Sequence, residues 1–280
     1  MPKRKLRIAT CQFAETFHPR RNAAVMRRYL ARAQAMRADV VHFHECALSG
    51  YCGELNSPGY DWSALREAAE SLADEARRRR LWVLLPSAHR LTGPHKPHNS
   101  LYVINPRGEI VDRYDKRFLT PADLEYYTPG NRAVTFRIGE ITCGLLICFD
   151  LRFPELYREL CRRGVTVLFQ SFYNARFRGP GIHEHIMRQT VQAHAAMNGM
   201  WVSAPNSSTP YCRWGSVFVR PDGFIAGRLP KNRAGIMVNT VDPSRRLYDP
   251  VSIPRELVMK GVLHNGRLVR DVRSADRKHF

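Results

Sequence analysis

The chain has no apolar run of the roughly 18 residues that a membrane-spanning helix requires, so no helical span is expected. A secretory leader is missing too: Met1-Pro2-Lys3-Arg4-Lys5 runs directly into a strand pattern, which makes a cytoplasmic protein the expectation. The seven cysteines are odd in number and show neither CxxC nor Cys/His ligand spacing, so neither a disulfide framework nor a zinc site is suggested. No metal and no cofactor is expected. No Pro/Gly/Ser-rich stretch reads as a linker and no internal repeat is visible, so the 280 residues, 44% of them hydrophobic, read as one domain with a sizeable core.

Acids are scarce as well, 25 against 44 Lys and Arg, for a formal net charge of +19. Such a surface attracts polyanions, and a basic nucleic-acid-binding protein is the rival reading from another functional class. No nucleic-acid module or aromatic-interleaved basic motif supports it. The densest run, Arg77-Arg78-Arg79-Arg80, falls at the end of a helix pattern, where cations favour the helix dipole. A solvated basic surface is the reading adopted, with neither nucleic acid nor membrane as a partner.

What is present is an alternation of strand and helix patterns. Residues 6–11 read as a strand, 21–37 as a helix with Ala, Val, Met and Leu on one face, and 40–44 as a second strand. A helix at 62–80, a strand at 81–86 and a hairpin over 99–114 turning at Pro106-Arg107-Gly108-Glu109 follow. Strands 134–138 and 141–147 pair through Gly139-Glu140. Beyond them lie a strand at 165–172, a helix at 184–198, a strand at 200–205, a hairpin over 214–229 turning at Pro221-Asp222-Gly223, and a last strand at 235–241. Mixed strands alternating with helices give a layered α/β domain. The basic stretch 244–280 has only a weak pattern.

Cys148 is the residue best placed for chemistry. In Gly144-Leu145-Leu146-Ile147-Cys148-Phe149-Asp150-Leu151-Arg152-Phe153-Pro154-Glu155 a short apolar strand runs into a helix opened by Pro154. A thiol at such an elbow sits at the sheet edge, with backbone N–H groups beside it able to receive a developing oxyanion. From position alone, a buried structural cysteine is the commoner occurrence. A reactive thiol also needs a proton acceptor and a positive charge near the intermediate. Two residues at strand ends qualify: Glu45, where Val40-Val41-His42-Phe43-His44 stops, and Lys116, at the exit of the 99–114 hairpin. Taken singly, each is more often a solvated loop charge.

Together Glu45, Lys116 and Cys148 resemble the nitrilase superfamily of carbon-nitrogen hydrolases, whose catalytic set is a glutamate, a lysine and a cysteine in that order. The local contexts are similar as well: Leu48-Ser49-Gly50-Tyr51, Tyr114-Asp115-Lys116, Thr128-Pro129-Gly130, and Cys148 through Glu155, over residues 6–242. The resemblance implies an α-β-β-α four-layer sandwich, a carbon-nitrogen hydrolase domain at 1–243, and a basic tail at 244–280 that can reach a partner subunit of a homodimer or larger homo-oligomer. It further implies cleavage of a non-peptide C–N bond in a small molecule, an amide or N-carbamoyl compound rather than a nitrile. Glu45 would serve as general base toward the thiol and then toward water. Cys148 would attack to give a thioester, and Lys116 with the backbone N–H of Phe149 would hold the oxyanion. Acyl transfer to an amine stays open. A catalytically silent scaffold is a third reading, against which the intact Glu45, Lys116 and Cys148 stand.

Relatives also carry a second glutamate, between the lysine and the Pro-Gly turn, that orders the lysine or the substrate. Glu125 is the better candidate by residue type and is taken into the catalytic set, with Asp123 the contender by distance to Pro129. Asp150, Arg152 and Glu155 resemble structural charges behind the nucleophile, expected as a buried ion pair. Where many relatives have an arginine and a glutamate, this chain reads Ala193-His194-Ala195-Ala196-Met197-Asn198, which predicts a repacked helix contact. The loop 171–181 is expected to border the pocket mouth. There Arg176 or Arg178 could grip a substrate carboxylate, with Tyr51 and Asn174 adding hydrogen bonds; ordinary surface arginines are the alternative.

Overall fold

The structure, a computed structural model, describes residues 5–51, 59–176 and 178–278. Of the basic start only Lys5 falls within them; Phe177 of the predicted mouth loop and the last two residues of the tail lie outside.

The strands form two six-stranded sheets. In the first, β1 (Leu6–Gln12), β2 (Val40–Phe43) and β3 (Trp82–His89) run parallel. The antiparallel hairpin β4 (His98–Ile104) and β5 (Ile110–Asp115) extends one edge, and β12 (Gly235–Val241) closes the other against β1. In the second sheet β7 (Ile141–Ile147), β8 (Val167–Ser171) and β9 (Trp201–Ala204) are parallel. There β6 (Thr135–Ile138) pairs with β7, and β10 (Val217–Val219) with β11 (Ile225–Arg228) extends β9.

Strand alternation decides the layering. Ile8 and Val40 point into a core shared with Leu145, Val167 and Phe169 of the other sheet, whereas Ala9, Val41 and Val83 face the opposite way, onto Met26, Leu30, Leu65 and Leu72. Those last four belong to α1 (Pro19–Ala35) and α2 (Trp62–Arg79). Leu156 and Leu160 of α3 (Pro154–Arg162), with Met187, Val191 and Ala195 of α4 (His183–Asn198), cover the second sheet. The order is therefore helix, sheet, sheet, helix, as the resemblance implied. Helix α2 starts on Asp61, which accepts from Ala64 N at 3.0 Å, and Arg78 and Arg79 of its last turn pair with Glu75 at 2.6 and 2.8 Å. That part of the basic run is tied to its own helix. No helix among the described residues is long and apolar enough to cross a membrane.

After β12 the chain runs through α5 (Ser252–Met259) and α6 (Val272–Ala275), neither of which buries a residue. Arg255 of α5 donates to the Met197 and Ala196 carbonyls at the C-terminus of α4.

Candidate active site

The carboxyl ends of β2, β7 and β8 open on one edge of the sandwich, where α/β sheets place their ligands. Cys148 follows β7 directly, in a short 3-10 turn, Cys148–Arg152, that precedes α3. Its φ of +44° lies in the left-handed region, a conformation that for a non-glycine residue costs of order 1 to 3 kcal/mol and persists only when its surroundings enforce it. Asp150 supplies the enforcement. It accepts from Ile147 N at 2.9 Å, from Phe118 N at 3.0 Å and from Tyr114 Oη at 2.8 Å, so it joins the Cys148 turn to the segment carrying Lys116. This corrects the expected ion pair, because Arg152 and Glu155 are exposed and Asp150 is held by backbone donors instead. Burial pushes its carboxyl above the usual range, against those hydrogen bonds.

Lys116 leaves β5 buried, and its ammonium lies 2.8 Å from Glu45 Oε1 and 2.8 Å from Asp123 Oδ2. Gly130 allows this passage: it donates to the Lys116 carbonyl at 2.9 Å, and a side chain there would run into Asp115. Glu45 Oε1 also accepts from Asn99 Nδ2 at 2.8 Å, while Oε2 is buried with no partner among the described residues. Burial is the largest influence on each group. It raises Glu45 above the usual carboxylate value, although Lys116 opposes it. Asp123 goes the other way, since Lys116 and the donors Tyr51 Oη and Thr120 N outweigh burial. Burial opposes the charge on Lys116, yet Glu45 and Asp123 hold its pKa well above the ordinary lysine value. The Cys148 thiol is pushed well up, first by burial and then by the negative charge of Glu45, with Lys116 pulling down.

The acid beside Lys116 is thus Asp123, and the choice of Glu125 is corrected. The 3-10 turn Asp123–Glu125 buries its first residue and leaves Glu125 exposed. Thr120 and Asp123 fix that turn reciprocally, Thr120 N donating to Oδ2 at 3.1 Å and Asp123 N to Thr120 Oγ1 at 3.0 Å. Tyr51 Oη donates to the other oxygen of Asp123, and its ring stacks on Tyr173 with centroids 4.6 Å apart. Asn174 follows β8 and points its Nδ2 at Cys148 Sγ, 3.7 Å away, with its Oδ1 held by Trp214 Nε1 at 2.7 Å. Arg176 and Arg178 are exposed; their guanidinium carbons lie 5.5 Å and 5.2 Å from the ring centroids of Phe17 and Tyr211. The expected repacking of α4 takes the form of His194, stacked on Tyr157 at 3.8 Å and bonded through Nε2 to the Leu151 carbonyl in the Cys148 turn.

The family model described as carbon-nitrogen hydrolase matches residues 7–247 of this chain. The chain belongs to that family. Among curated proteins this carbon-nitrogen hydrolase is 25% identical over 235 residues to nitrilase homolog 2 of Dictyostelium discoideum, covering 78% of this chain and 71% of that one. It is 28% identical to the (R)-stereoselective amidase of a Pseudomonas species over 233 residues, 80% of this chain and 81% of that one. Of solved structures, an amidase from Nesterenkonia sp. AN1 superposes with a TM-score of 0.77 at 22% identity, over 91% of this chain and 96% of that one, which shows the shared fold. The chain is an amidase-like hydrolase of the nitrilase superfamily.

Several residues of this hydrolase's site escaped the sequence reading. Asn99, Trp214 and Asn206, which accepts from Asn174 N at 2.8 Å, come from strands and loops distant in sequence, and nothing local marks them. Asp123 did carry a signal, because Thr120-Pro121-Ala122-Asp123 has the spacing of a capping box. Phe149 N–H lies in the first residues of the 3-10 turn, whose leading donors have no partner inside the turn.

Proposed function

We propose that this carbon-nitrogen hydrolase cleaves small amides through a thioester on Cys148. The observation that carries the reading is the asymmetry of Glu45: one oxygen is saturated by Lys116 and Asn99, and the other is buried and unpartnered. A carboxylate with a raised pKa and one free oxygen is suited to take a proton from a thiol and later from water. The Cys148 sulfur then bonds to the amide carbon while the carbonyl oxygen becomes an oxyanion. Lys116 has three N–H donors, two of them directed at Glu45 and Asp123, so the third is left for that oxygen together with Phe149 N–H. Collapse breaks the C–N bond, the amine leaves with the proton from Glu45, and water deprotonated by Glu45 releases the acid.

Asn174 amide nitrogen and the stacked Tyr51 and Tyr173 bound the space beside the sulfur with neutral groups. Arg176 and Arg178 are exposed beside aromatic rings, the placement of ordinary surface arginines, so neither is invoked as a grip on the acyl group. The Nesterenkonia amidase has been solved in complex with butyramide, and with the acetamide moiety of fluoroacetamide added covalently at its active site cysteine. Small aliphatic amides are accordingly the first substrates to try. Ammonia release from butyramide, N-carbamoyl compounds, butyronitrile and an amide bearing a distal carboxylate tests the reading: butyramide is expected to be used best, and nitrile-only turnover would overturn it. The exposed Leu263, Leu268, Val269 and Val272 of the tail support a homo-oligomer, to be checked by sedimentation of the chain with and without residues 244–280.

A further inference from the structure

The residue before the catalytic base is a histidine that the reaction does not use. His44 is fully buried, its Nδ1 lies 3.1 Å from the Glu45 carbonyl oxygen, and its Nε2 has no hydrogen-bond partner among the described residues. That nitrogen is aimed at a second buried carboxylate, with 3.7 Å between Nε2 and Glu15 Oε2. Glu15 is held from the far side of the sandwich, where Ser207 Oγ donates to Oε2 at 2.6 Å and Thr209 Oγ1 to Oε1 at 2.9 Å. Phe13 closes the space, its ring packed edge-on against the imidazole at 4.7 Å.

We propose that Glu15 and His44 form a brace that positions Glu45. The inference rests on the role assigned above to Glu45. The backbone at this point needs support: Cys46, the next residue, has a φ of +55°, and Glu45 N is tied only by a 3.2 Å bond to the Phe172 carbonyl. Protonated on Nδ1, His44 donates to the Glu45 carbonyl and fixes the peptide on the other side of the Glu45 α-carbon. A further proton held between Nε2 and the facing Glu15 carboxylate lets Glu15 set the imidazole's orientation, as carboxylates do for histidines that support reacting groups. His44 is thus a positioning residue, and Glu15 with Ser207 and Thr209 positions it in turn. A loss of alignment of about 1 Å at a reacting group costs on the order of a hundredfold in rate, so the brace has a measurable consequence.

Alkylation of Cys148 by iodoacetamide, followed by mass spectrometry across pH, reads Glu45 without needing the natural substrate. His44→Leu should slow labelling of Cys148 about tenfold or more and displace its pH profile. His44→Asn, whose amide can occupy the place of Nδ1, should recover most of the rate. Glu15→Gln, whose amide oxygen can still accept from Ser207 while its nitrogen donates to Thr209 Oγ1, should shift the same profile with little change in melting temperature. If His44→Leu does not fold, Glu15→Gln and His44→Asn decide. Unaltered rate and profile in Glu15→Gln, or His44→Asn no better than His44→Leu, would overturn the brace. Wild-type Cys148 labelling no faster than Cys161 would refute the amidase reading itself, and the brace with it.

Discussion

Replacing Asp123 by Asn separates the charge beside Lys116 from its hydrogen bonds. The Asn oxygen can accept from Lys116 and from Thr120 N as Oδ2 does, and the amide nitrogen can donate to Tyr51 Oη. What disappears is one of the two negative charges around a buried ammonium. Two charges about 4 Å apart at an effective dielectric of about 20 interact by about 4 kcal/mol. The relieved desolvation of Asp123 offsets part of this, leaving a loss of about 1 to 3 kcal/mol in stability. Asp123→Ala also strips Lys116, Tyr51 and Thr120 of an acceptor, and is expected to cost about 3 to 5 kcal/mol. Because Asp123 adds to the raised proton affinity of Glu45, the Asn variant should lower it, making Glu45 a weaker base. The acid limb of kcat/KM then moves to lower pH, and kcat falls about ten- to a hundredfold if about 1.4 to 2.8 kcal/mol of transition-state alignment is lost. Exposed Glu125 serves as the control, since Glu125→Gln should stay within about 0.5 kcal/mol of wild type. Ammonia release across pH, with melting curves, measures all of this. An active Asp123→Asn beside an inactive Glu125→Gln, or an acid limb that moves upward, would refute the reasoning.

Glu45→Gln should abolish ammonia release without lowering the melting temperature at neutral pH. The folded pKa of Glu45 is raised, so its charge weakens the fold above that value and protonation restores the loss as pH falls; Gln removes the effect. Asp123 has the opposite sign, contributing stability that is complete above the unfolded value of about 4 and lost as acid reaches its depressed folded value, which acid-denaturation curves of wild type and Asp123→Asn should separate. Lys116→Arg should keep less than about a tenth of kcat, because a planar guanidinium does not fit the compact site between two carboxylates 2.8 Å from the ammonium, and steady-state kinetics will show it. Asn174→Ala leaves Trp214 Nε1 buried without its acceptor and should cost about 1 to 3 kcal/mol in denaturant titrations, with a raised KM.

Much of this protein was legible because local patterns and global layering agree. Alternation along β1 and β2, Pro154 at the head of α3, and strand ends at Glu45, Lys116 and Cys148 are all short-range signals. The errors arose where contacts are long-range or where residue type and resemblance stood in for turn geometry. Glu125 was favoured by residue type, but a 3-10 turn capped by Thr120 brings Asp123, two residues earlier, against the lysine. Asp150 was read as an ion-pair partner because it resembles structural charges of the family, yet the backbone N–H groups of Ile147 and Phe118 reach it instead. The contact joins Glu15 and His44, residues just beyond β1 and β2, and Glu15 accepts from hydroxyls more than 190 positions away, which no periodicity announces.

The central claim is that Cys148 carries the acyl group, and replacing it by Ala tests this most directly. Ammonia release from butyramide should fall by about ten-thousandfold or more, as for other covalent nucleophiles. The melting temperature should not fall, because the left-handed turn at Cys148 is held by Asp150 and not by the thiol. A folded Cys148→Ala protein that still releases ammonia at a rate near wild type would contradict the account.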